Sequence, residues 1–123
     1  MARELKGFLN KKTVDFFNLK DNRVFIAERN IVHMRKKHCE DYEKYYESIS
    51  EIISCPDYIG RNPKDNSMEL IKEFFFEEKK FYVKVAVAID KQELLYAKTL
   101  YTLNFLKFEF QVLQGYYKKV QNL

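Results

Sequence analysis

Apolar and polar residues alternate with a period of two through much of the second half of the chain. The alternation covers residues 68–76, breaks at the charged stretch 77–80, and resumes over 81–89. A turn at 90–91 then leads into a third apolar stretch at 94–104. Since side chains two residues apart share one face of a strand, these stretches predict three strands of an antiparallel meander.

Residues 106–113 fit two different periods. One is helical and runs through Leu106, Phe110, Leu113 and Tyr117. The other alternates and sets Leu106, Phe108, Phe110 and Val112 against Lys107, Glu109 and Gln111. The alternation is cleaner and richer in strand-forming residues, so we predict a fourth strand that stops before Gly115.

The first half of the chain is mainly helical in its spacing. It predicts one or two short helices over Leu5–Leu19, a strand at 23–27, a helix at 29–38 and a second helix at 40–54. The helices are available to cover the valine-rich face of strand 81–89. The predicted fold is therefore α+β, with N-terminal helices packed on a four-stranded antiparallel β-sheet in a single domain over residues 1–123.

Composition excludes only a few classes of protein. The chain of 123 residues has a net charge of +4, 11 Phe and 9 Tyr, and its apolar runs are too short for a transmembrane helix. The start of the chain lacks the apolar core of a secretion signal. Cys39 and Cys55 lack zinc-site spacing, and we interpret them as free, partly buried thiols in a reducing compartment. The modest positive charge permits a polyanionic partner.

The segment NIVHMRKKHC, residues 30–39, carries the strongest chemical signal. It contains both histidines of the chain, His33 and His38, and sets Arg35 and Lys37 between them. In a helix His33 and Lys37 project together, with His38 about one position further round. Histidine exchanges protons near neutral pH, and the flanking cations, Arg35 among them, suit a phosphate.

Two further places offer binding groups. The loop-rich segment PDYIGRNPKDNS carries the cations Arg61 and Lys64, and loops on rigid scaffolds often hold binding residues. On the predicted sheet, Lys84, Thr99 and Tyr101 point the same way. Small alanines at 86, 88 and 97 leave room beside them. Regular pleating places Lys98 on the face opposite Thr99.

Several reaction classes lack the residues that they need. Two histidines five apart, with no paired acid on the same helix face, do not form a typical metal site. There is no glycine-rich phosphate loop and no nucleophile elbow. Cys39 adjoins His38, but neighbours in a helix point about 100° apart. What remains is acid–base and electrostatic chemistry on a phosphodiester, which needs no metal or other cofactor.

The order HMRKKH, PDYIGRNPKDNS and TLYTLN also resembles a known family. It is similar to the phage-type branch of the Barnase–EndoU–colicin–RelE-like nucleases, over roughly residues 7–120. The resemblance implies N-terminal helices followed by a four-stranded antiparallel sheet. It further implies a metal-independent ribonuclease of the colicin D-like toxin branch, whose relatives cut tRNA anticodon loops. Such an enzyme generates a 2′,3′-cyclic phosphate and a 5′-hydroxyl.

Carried over residue by residue, the resemblance assigns catalytic roles to five positions. His38 is the general base or acid, Lys37 stabilises the phosphorane, and His33 is the second proton carrier or orients its neighbour. Thr99 donates a hydrogen bond to the phosphate, and Tyr101 stacks on a base or donates to the phosphate. Four cations are expected to bind the substrate: Arg35, Arg61, Lys64 and Lys84.

The same resemblance implies partners and a location. RNA, with tRNA first, is the expected substrate, and a toxic ribonuclease implies a cognate immunity or antitoxin protein that is itself acidic. We expect action in a bacterial cytoplasm, or delivery into the cytoplasm of a target cell as part of a larger toxin. Two alternatives stay open: a non-catalytic RNA- or protein-binding module on the same fold, and a structural protein of a phage or mobile element.

Overall fold

The computed structural model describes residues 2–123, which form a mixed β-sheet with helices on both faces. The strands are β1 (Arg3–Phe8), β2 (Arg23–Ala27), β3 (Tyr58–Arg61), β4 (Met68–Phe76), β5 (Lys79–Ile89), β6 (Leu95–Thr102) and β7 (Lys118–Lys119). The helices are α1 (Lys11–Phe17), α2 (Glu28–Lys37), α3 (Cys39–Tyr45), α4 (Ile49–Ser54) and α5 (Phe105–Leu113). Short 3₁₀ turns follow α3 and β7. No helix within residues 2–123 is both long enough and apolar enough to cross a bilayer.

The sheet has seven strands in the order β1-β2-β6-β5-β4-β3-β7. All neighbouring pairs run antiparallel except β2 and β6, which run parallel. The predicted four-stranded antiparallel sheet with N-terminal helices is therefore wrong, although the chain is α+β. The meander β4-β5-β6 is present, but β2 and β1 extend it on one side and β3 and β7 on the other.

The N-terminal segment shows why the strand count was too low. Residues predicted as helix, Leu5–Leu19, contain the last four residues of β1 and all of α1. Most of β1 is exposed at the edge of the sheet, so its sequence lacks the buried alternation that identifies a strand. Helix α1 starts after Asn10, whose side-chain oxygen accepts a hydrogen bond from Thr13 N–H at 2.8 Å. The helix predicted at 40–54 is likewise interrupted, as α3, a 3₁₀ turn and α4.

Residues 106–113 form most of α5 rather than the predicted fourth strand. Asn104 caps this helix by accepting a hydrogen bond from Lys107 N–H at 2.9 Å. Of the alternating apolar residues only Phe108 is buried, at 1% exposure, whereas Leu106 and Phe110 are 77% and 61% exposed. The burial of Phe108 and the Asn104 cap therefore determine that this segment is a helix. The alternation of its other apolar residues does not make it a strand.

Two hydrophobic clusters lie on opposite faces of the sheet. On one face Val83, Val85 and Val87 pack against Met34 of α2 and the isoleucines of α4, as the alternation predicts. On the other face α5 and the C-terminal turn cover part of the sheet with a cluster of Tyr58, Ile71, Tyr82, Phe108 and Tyr117.

The two cysteines, Cys39 and Cys55, are free, as predicted. The prediction that they are partly buried is wrong, because both are exposed.

A β-bulge in β6 changes which way the side chains near Lys98 point. Val87 pairs with Ala97 and Ala86 pairs with Thr99, so Lys98 is an extra residue. Ala97 and Leu100 both belong to the hydrophobic core between the sheet and helices α2 and α4, here called the helix-side core. They do so although they are three positions apart in the strand. The regular alternation of side chains is therefore interrupted at Lys98. The prediction that Lys98 lies on the face opposite Thr99 assumed regular pleating, which the bulge breaks. Its Nζ instead contacts Asp65 Oδ2 at 2.7 Å.

Substituting Gly60 tests how tightly the C-terminal turn packs on β3. A Cβ at Gly60 meets Tyr117 Cδ1 at 2.7 Å and the carbonyl oxygen of Tyr116 at 3.0 Å. Because a ring and a backbone atom must move, we expect Gly60→Ala to lower the free energy of unfolding by about 1–3 kcal/mol in urea titrations. Gly7→Ala is the control, since its Cβ meets mainly the end of the Ile53 side chain. An equal effect of both substitutions would contradict this packing.

Candidate active site

The candidate site lies where β6 loses its neighbouring strand. β2 pairs with β6 only at Val24–Leu95 and Phe25–Tyr96, and the chain then leaves the sheet for α2. The remaining edge of β6 is held by α3, because Asp41 accepts hydrogen bonds from Thr102 N–H at 3.0 Å and from its hydroxyl at 2.8 Å. The edge is thereby closed to further strand pairing at Thr102, and the C-terminal end of α2 is fixed beside it.

His38 stands at the junction between α2 and α3. Its backbone has φ −140° and ψ 52°, which ends one helix and begins the next, and its N–H donates to Met34 O at 2.8 Å. The imidazole stacks on the Tyr101 ring, with centroids 4.7 Å apart and planes at 24°. The His33 ring lies 6.2 Å from the His38 ring, so the two histidines of the sequence do share one site.

The surroundings of His38 favour its neutral form. Partial burial lowers the pKa of His38 below its ordinary value of 6.5, and the charges of His33, Lys37 and Lys84 lower it further. Only the Asp41 carboxylate among the principal neighbours acts in the opposite direction. A neutral imidazole at pH 7 can accept a proton, which is the property of a general base.

Lys84 approaches the same tyrosine from the interior of the sheet. Its Nζ lies 4.6 Å from the centre of the Tyr101 ring and 2.6 Å from Glu69 Oε2. The side chains of Lys84 and Glu69 are only 7% and 2% exposed. Burial disfavours the charged lysine, but the Glu69 carboxylate and Tyr101 outweigh it and raise the pKa of Lys84, so the ammonium stays charged.

Glu69 connects this ion pair to the C-terminal turn. Its second oxygen, Oε1, accepts a hydrogen bond from the Tyr117 hydroxyl at 2.8 Å. Burial and this hydrogen bond raise the pKa of Tyr117 far above its ordinary value, so the hydroxyl remains a donor. Tyr116 packs on Tyr117 with ring centroids 4.8 Å apart. The Tyr116–Tyr117 pair is thus hydrogen-bonded through Tyr117 to the buried ion pair of Glu69 and Lys84.

A cavity of about 440 Å³ opens over this network. Its floor includes Glu69, Lys84 and Tyr101, and its walls come from the loop after β3, from α5 and from the C-terminal turn. Polar side chains lining it are Asn62, Lys64, Asn104, Lys107 and Gln111. A cavity with a charged floor, an aromatic wall and several amides has the composition of a small polar ligand site.

Some predicted site residues are brought together and others are not. Lys37 is exposed at the end of α2, close enough for its charge to act on His38, and Lys64 lines the cavity. Arg35 instead lies over the Tyr42 ring, 5.3 Å from its centre. Arg61 donates to Asn66 O at 2.9 Å and lies over Phe17, on the helix side of the sheet.

Thr99 occupies the predicted face but does not present its hydroxyl to solvent. It pairs with Ala86 in the sheet, and its Oγ1 is buried without a hydrogen-bond partner. A phosphate can reach this oxygen only if neighbouring groups move. The contact of Thr99 with substrate therefore stays a prediction.

Sequence analysis missed the acidic members of the site. Glu69 and Asp41 were not singled out, and neither were Tyr116 and Tyr117. A signal for Glu69 does exist, since a carboxylate within a buried strand requires a partner, and Lys84 is a charged residue within the next apolar strand.

Within residues 2–123 no group of three or more His, Cys, Asp or Glu is placed to hold a metal ion.

Comparison with known proteins adds one finding to this geometry. The family model described as phage-Barnase-EndoU-ColicinE5/D-RelE like nuclease 3 matches residues 4–109. The match spans His33, His38, Glu69, Lys84 and Tyr101. Comparisons with curated proteins and with solved structures found no match.

Removing one member of the buried ion pair should be more harmful than neutralising both. Lys84→Met leaves the buried Glu69 carboxylate without its cationic partner, and we expect a loss of about 3–5 kcal/mol in the free energy of unfolding. The double variant Lys84→Met/Glu69→Gln keeps an oxygen for the Tyr117 hydroxyl and should recover a substantial part of that loss. Thermal and urea unfolding measure both variants, and a double variant no more stable than Lys84→Met would contradict the coupling.

Proposed function

The chain belongs to the phage Barnase–EndoU–colicin E5/D–RelE-like nuclease family, and from that premise we propose that it is a metal-independent endoribonuclease. As a nuclease it acts on nucleic acid. The observation that carries the proposal is the stacking of His38 on Tyr101 beside the buried Lys84. One proton acceptor, one permanent cation and one aromatic hydroxyl thereby meet at a single place.

The proposed reaction uses the ribose 2′-hydroxyl as nucleophile. His38 accepts the proton of the 2′-OH as O2′ attacks phosphorus, and the bond from phosphorus to O5′ breaks. His33 donates a proton to the leaving O5′, so the products are a 2′,3′-cyclic phosphate and a 5′-hydroxyl. The two rings are 6.2 Å apart, which leaves room for groups on either side of a phosphate.

Lys84 and Lys37 serve as electrostatic groups rather than as acids. Lys84 stays charged because its ammonium donates a hydrogen bond to the Glu69 carboxylate, and a fixed buried cation stabilises the growing negative charge of a phosphorane. Part of its charge is already compensated by Glu69. Lys37, exposed on α2, supplies a second cation from the solvent side. Tyr101 stacks against a base or donates to a phosphate oxygen.

The finer proposals concern substrate and partner. We propose tRNA as the first substrate to test and a toxic role, both supported by the resemblance to colicin D-like relatives. The cavity beside Tyr101 then receives a nucleotide next to the cleaved phosphate, which fits its amide and lysine lining. The basic end of α2, with Arg35, Lys36 and Lys37, favours an acidic inhibitor protein that covers it.

Removing His38 should abolish turnover and preserve binding. We expect His38→Ala to lower the rate of tRNA cleavage in EDTA by about 10²–10⁴-fold, because it removes the proton acceptor. Its affinity for RNA should change little. Fragments on a gel measure the rate, and a mobility shift measures the affinity.

The alternatives give different results in the same experiment. Intact RNA with a salt-sensitive shift supports a non-catalytic binding module. Intact RNA with no shift at any salt concentration contradicts an RNA partner. Fragments that persist in His38→Ala move the role of base away from this residue.

The pH dependence of cleavage should show the lowered pKa of His38. A general base works only when deprotonated, so on the acidic side of the profile kcat/KM should rise with pH as the His38 imidazole loses its proton. Because burial lowers the pKa of His38 below 6.5, this acidic limb should lie below pH 6.5. Asp41→Asn removes the one opposing charge and should move the limb to still lower pH. A limb above pH 6.5 would be inconsistent with His38 as base.

A further inference from the structure

A second cluster of cations and aromatic rings lies on the same sheet face, beyond the proposed catalytic groups. Phe25 of β2 and Tyr96 of β6 are register partners with ring centroids 6.3 Å apart. The guanidinium of Arg3 lies 5.0 Å from the centre of the Phe25 ring, and that of Arg29 lies 5.1 Å from the centre of the Tyr96 ring. Two arginines thus lie over two neighbouring rings.

This cluster faces away from the helix-side core. Val24 and Ile26, on either side of Phe25, are buried in that core, so Phe25 points to the opposite face. Leu95 and Ala97 flank Tyr96 in the same way. The face on which Phe25 and Tyr96 lie is the one that carries Lys84 and Tyr101.

Helix α2 joins the cluster to the catalytic groups. Arg29, His33 and Lys37 follow one another at intervals of four residues and therefore line one side of the helix. Arg29 lies over Tyr96 near the start of β6, while His38, at the end of α2, stacks on Tyr101 near the end of β6. Helix α2 and strand β6 thus run side by side, and a contact between a basic side chain and a tyrosine ring lies near each end.

The charges of the cluster are available to a ligand. Arg23 also lies near Phe25, but its guanidinium is paired with Asp21 at 2.7 Å. Among residues 2–123 neither Arg3 nor Arg29 forms a salt bridge, and both are exposed. Tyr96 is only 8% exposed, so the guanidinium groups are the parts of the cluster that a ligand can contact. Exposed guanidinium groups held against aromatic rings suit the phosphates of single-stranded nucleic acid.

We propose that Arg3, Phe25, Arg29 and Tyr96 form a second binding site for single-stranded RNA, continuous with the cleavage site along α2 and β6. The inference rests on the proposed ribonuclease function. Tyr96 and Tyr101 are separated by roughly 13–16 Å of strand at about 3.3 Å per residue, a distance of a few nucleotides. The site therefore acts on nucleotides distant from the cleaved phosphate and favours long substrates over short ones.

The experiment compares a dinucleotide with a single-stranded RNA of twelve nucleotides. The variant Arg3→Gln/Arg29→Gln should lower kcat/KM for the 12-mer about tenfold and leave kcat/KM for the dinucleotide unchanged. For binding of the 12-mer, measured in a His38→Ala background, the slope of log affinity against log salt should decrease by about 1.4. The matched control, Lys44→Gln/Lys119→Gln, removes two exposed charges elsewhere and should leave both substrates unaffected.

The outcomes separate this inference from the function on which it rests. Cleavage of both substrates at unchanged rates by the arginine variant overturns the second site and leaves the ribonuclease proposal standing. An equal loss on the dinucleotide and the 12-mer also overturns it, because the arginines then act at the cleavage site. If the unaltered protein cleaves neither these substrates nor tRNA, the ribonuclease proposal fails. The affinity for the 12-mer then decides: weaker binding by the arginine variant supports the second site, and equal binding overturns it.

Discussion

The ion pair of Lys84 and Glu69 is the interaction on which the rest of the site depends. Two charges buried within a sheet are costly unless each is compensated, and here they meet at 2.6 Å. The second carboxylate oxygen holds Tyr117, and the ammonium lies against the Tyr101 ring. One buried pair therefore connects the central strands, the C-terminal turn and the tyrosine on which His38 stacks. Such a pair is weak evidence for stability, but it places a fixed cation beneath a polar cavity.

The second constraint is the short pairing of β2 with β6. Because the chain leaves the sheet after Ala27, most of β6 has no strand neighbour on that side, and α2 occupies the space. The same departure brings the basic helix, its two histidines and the open sheet face together. Asp41 then secures the end of β6 through the Thr102 backbone and hydroxyl. The proposed reaction thus takes place at the boundary between a helix and an unpaired strand edge.

Local sequence patterns were sufficient for much of this arrangement. The strand at 23–27 has the predicted bounds, and the predicted alignment of Lys84 with Tyr101 is confirmed by their register. Helical spacing likewise predicted that His33 and His38 lie near one another. These features depend on residues close in sequence or on adjacent strands, where the period of the side chains is informative.

The remaining features depend on contacts that no local pattern contains. β1 is identified by its pairing with β2, since its own residues are mostly exposed. The helix at 105–113 is decided by the Asn104 cap and by the burial of Phe108 among tyrosines from distant strands. The position of Lys98 depends on a bulge, and regular alternation cannot reveal an extra residue. The hydrogen bond between Glu69 and Tyr117 joins residues 48 positions apart, so local sequence does not contain it.

The most direct test of the account is the chemistry of the cut ends. An RNA oligonucleotide is incubated with the protein in EDTA. The same oligonucleotide carrying a single 2′-deoxyribose at the cleaved position is incubated in parallel, and the products of both are identified by mass spectrometry. Attack by the 2′-hydroxyl predicts a 2′,3′-cyclic phosphate and a 5′-hydroxyl from the first oligonucleotide, and no cleavage at the modified position of the second. Products ending in a 5′-phosphate, or equal cleavage at the deoxyribose, would contradict attack by the 2′-hydroxyl and the role assigned to His38.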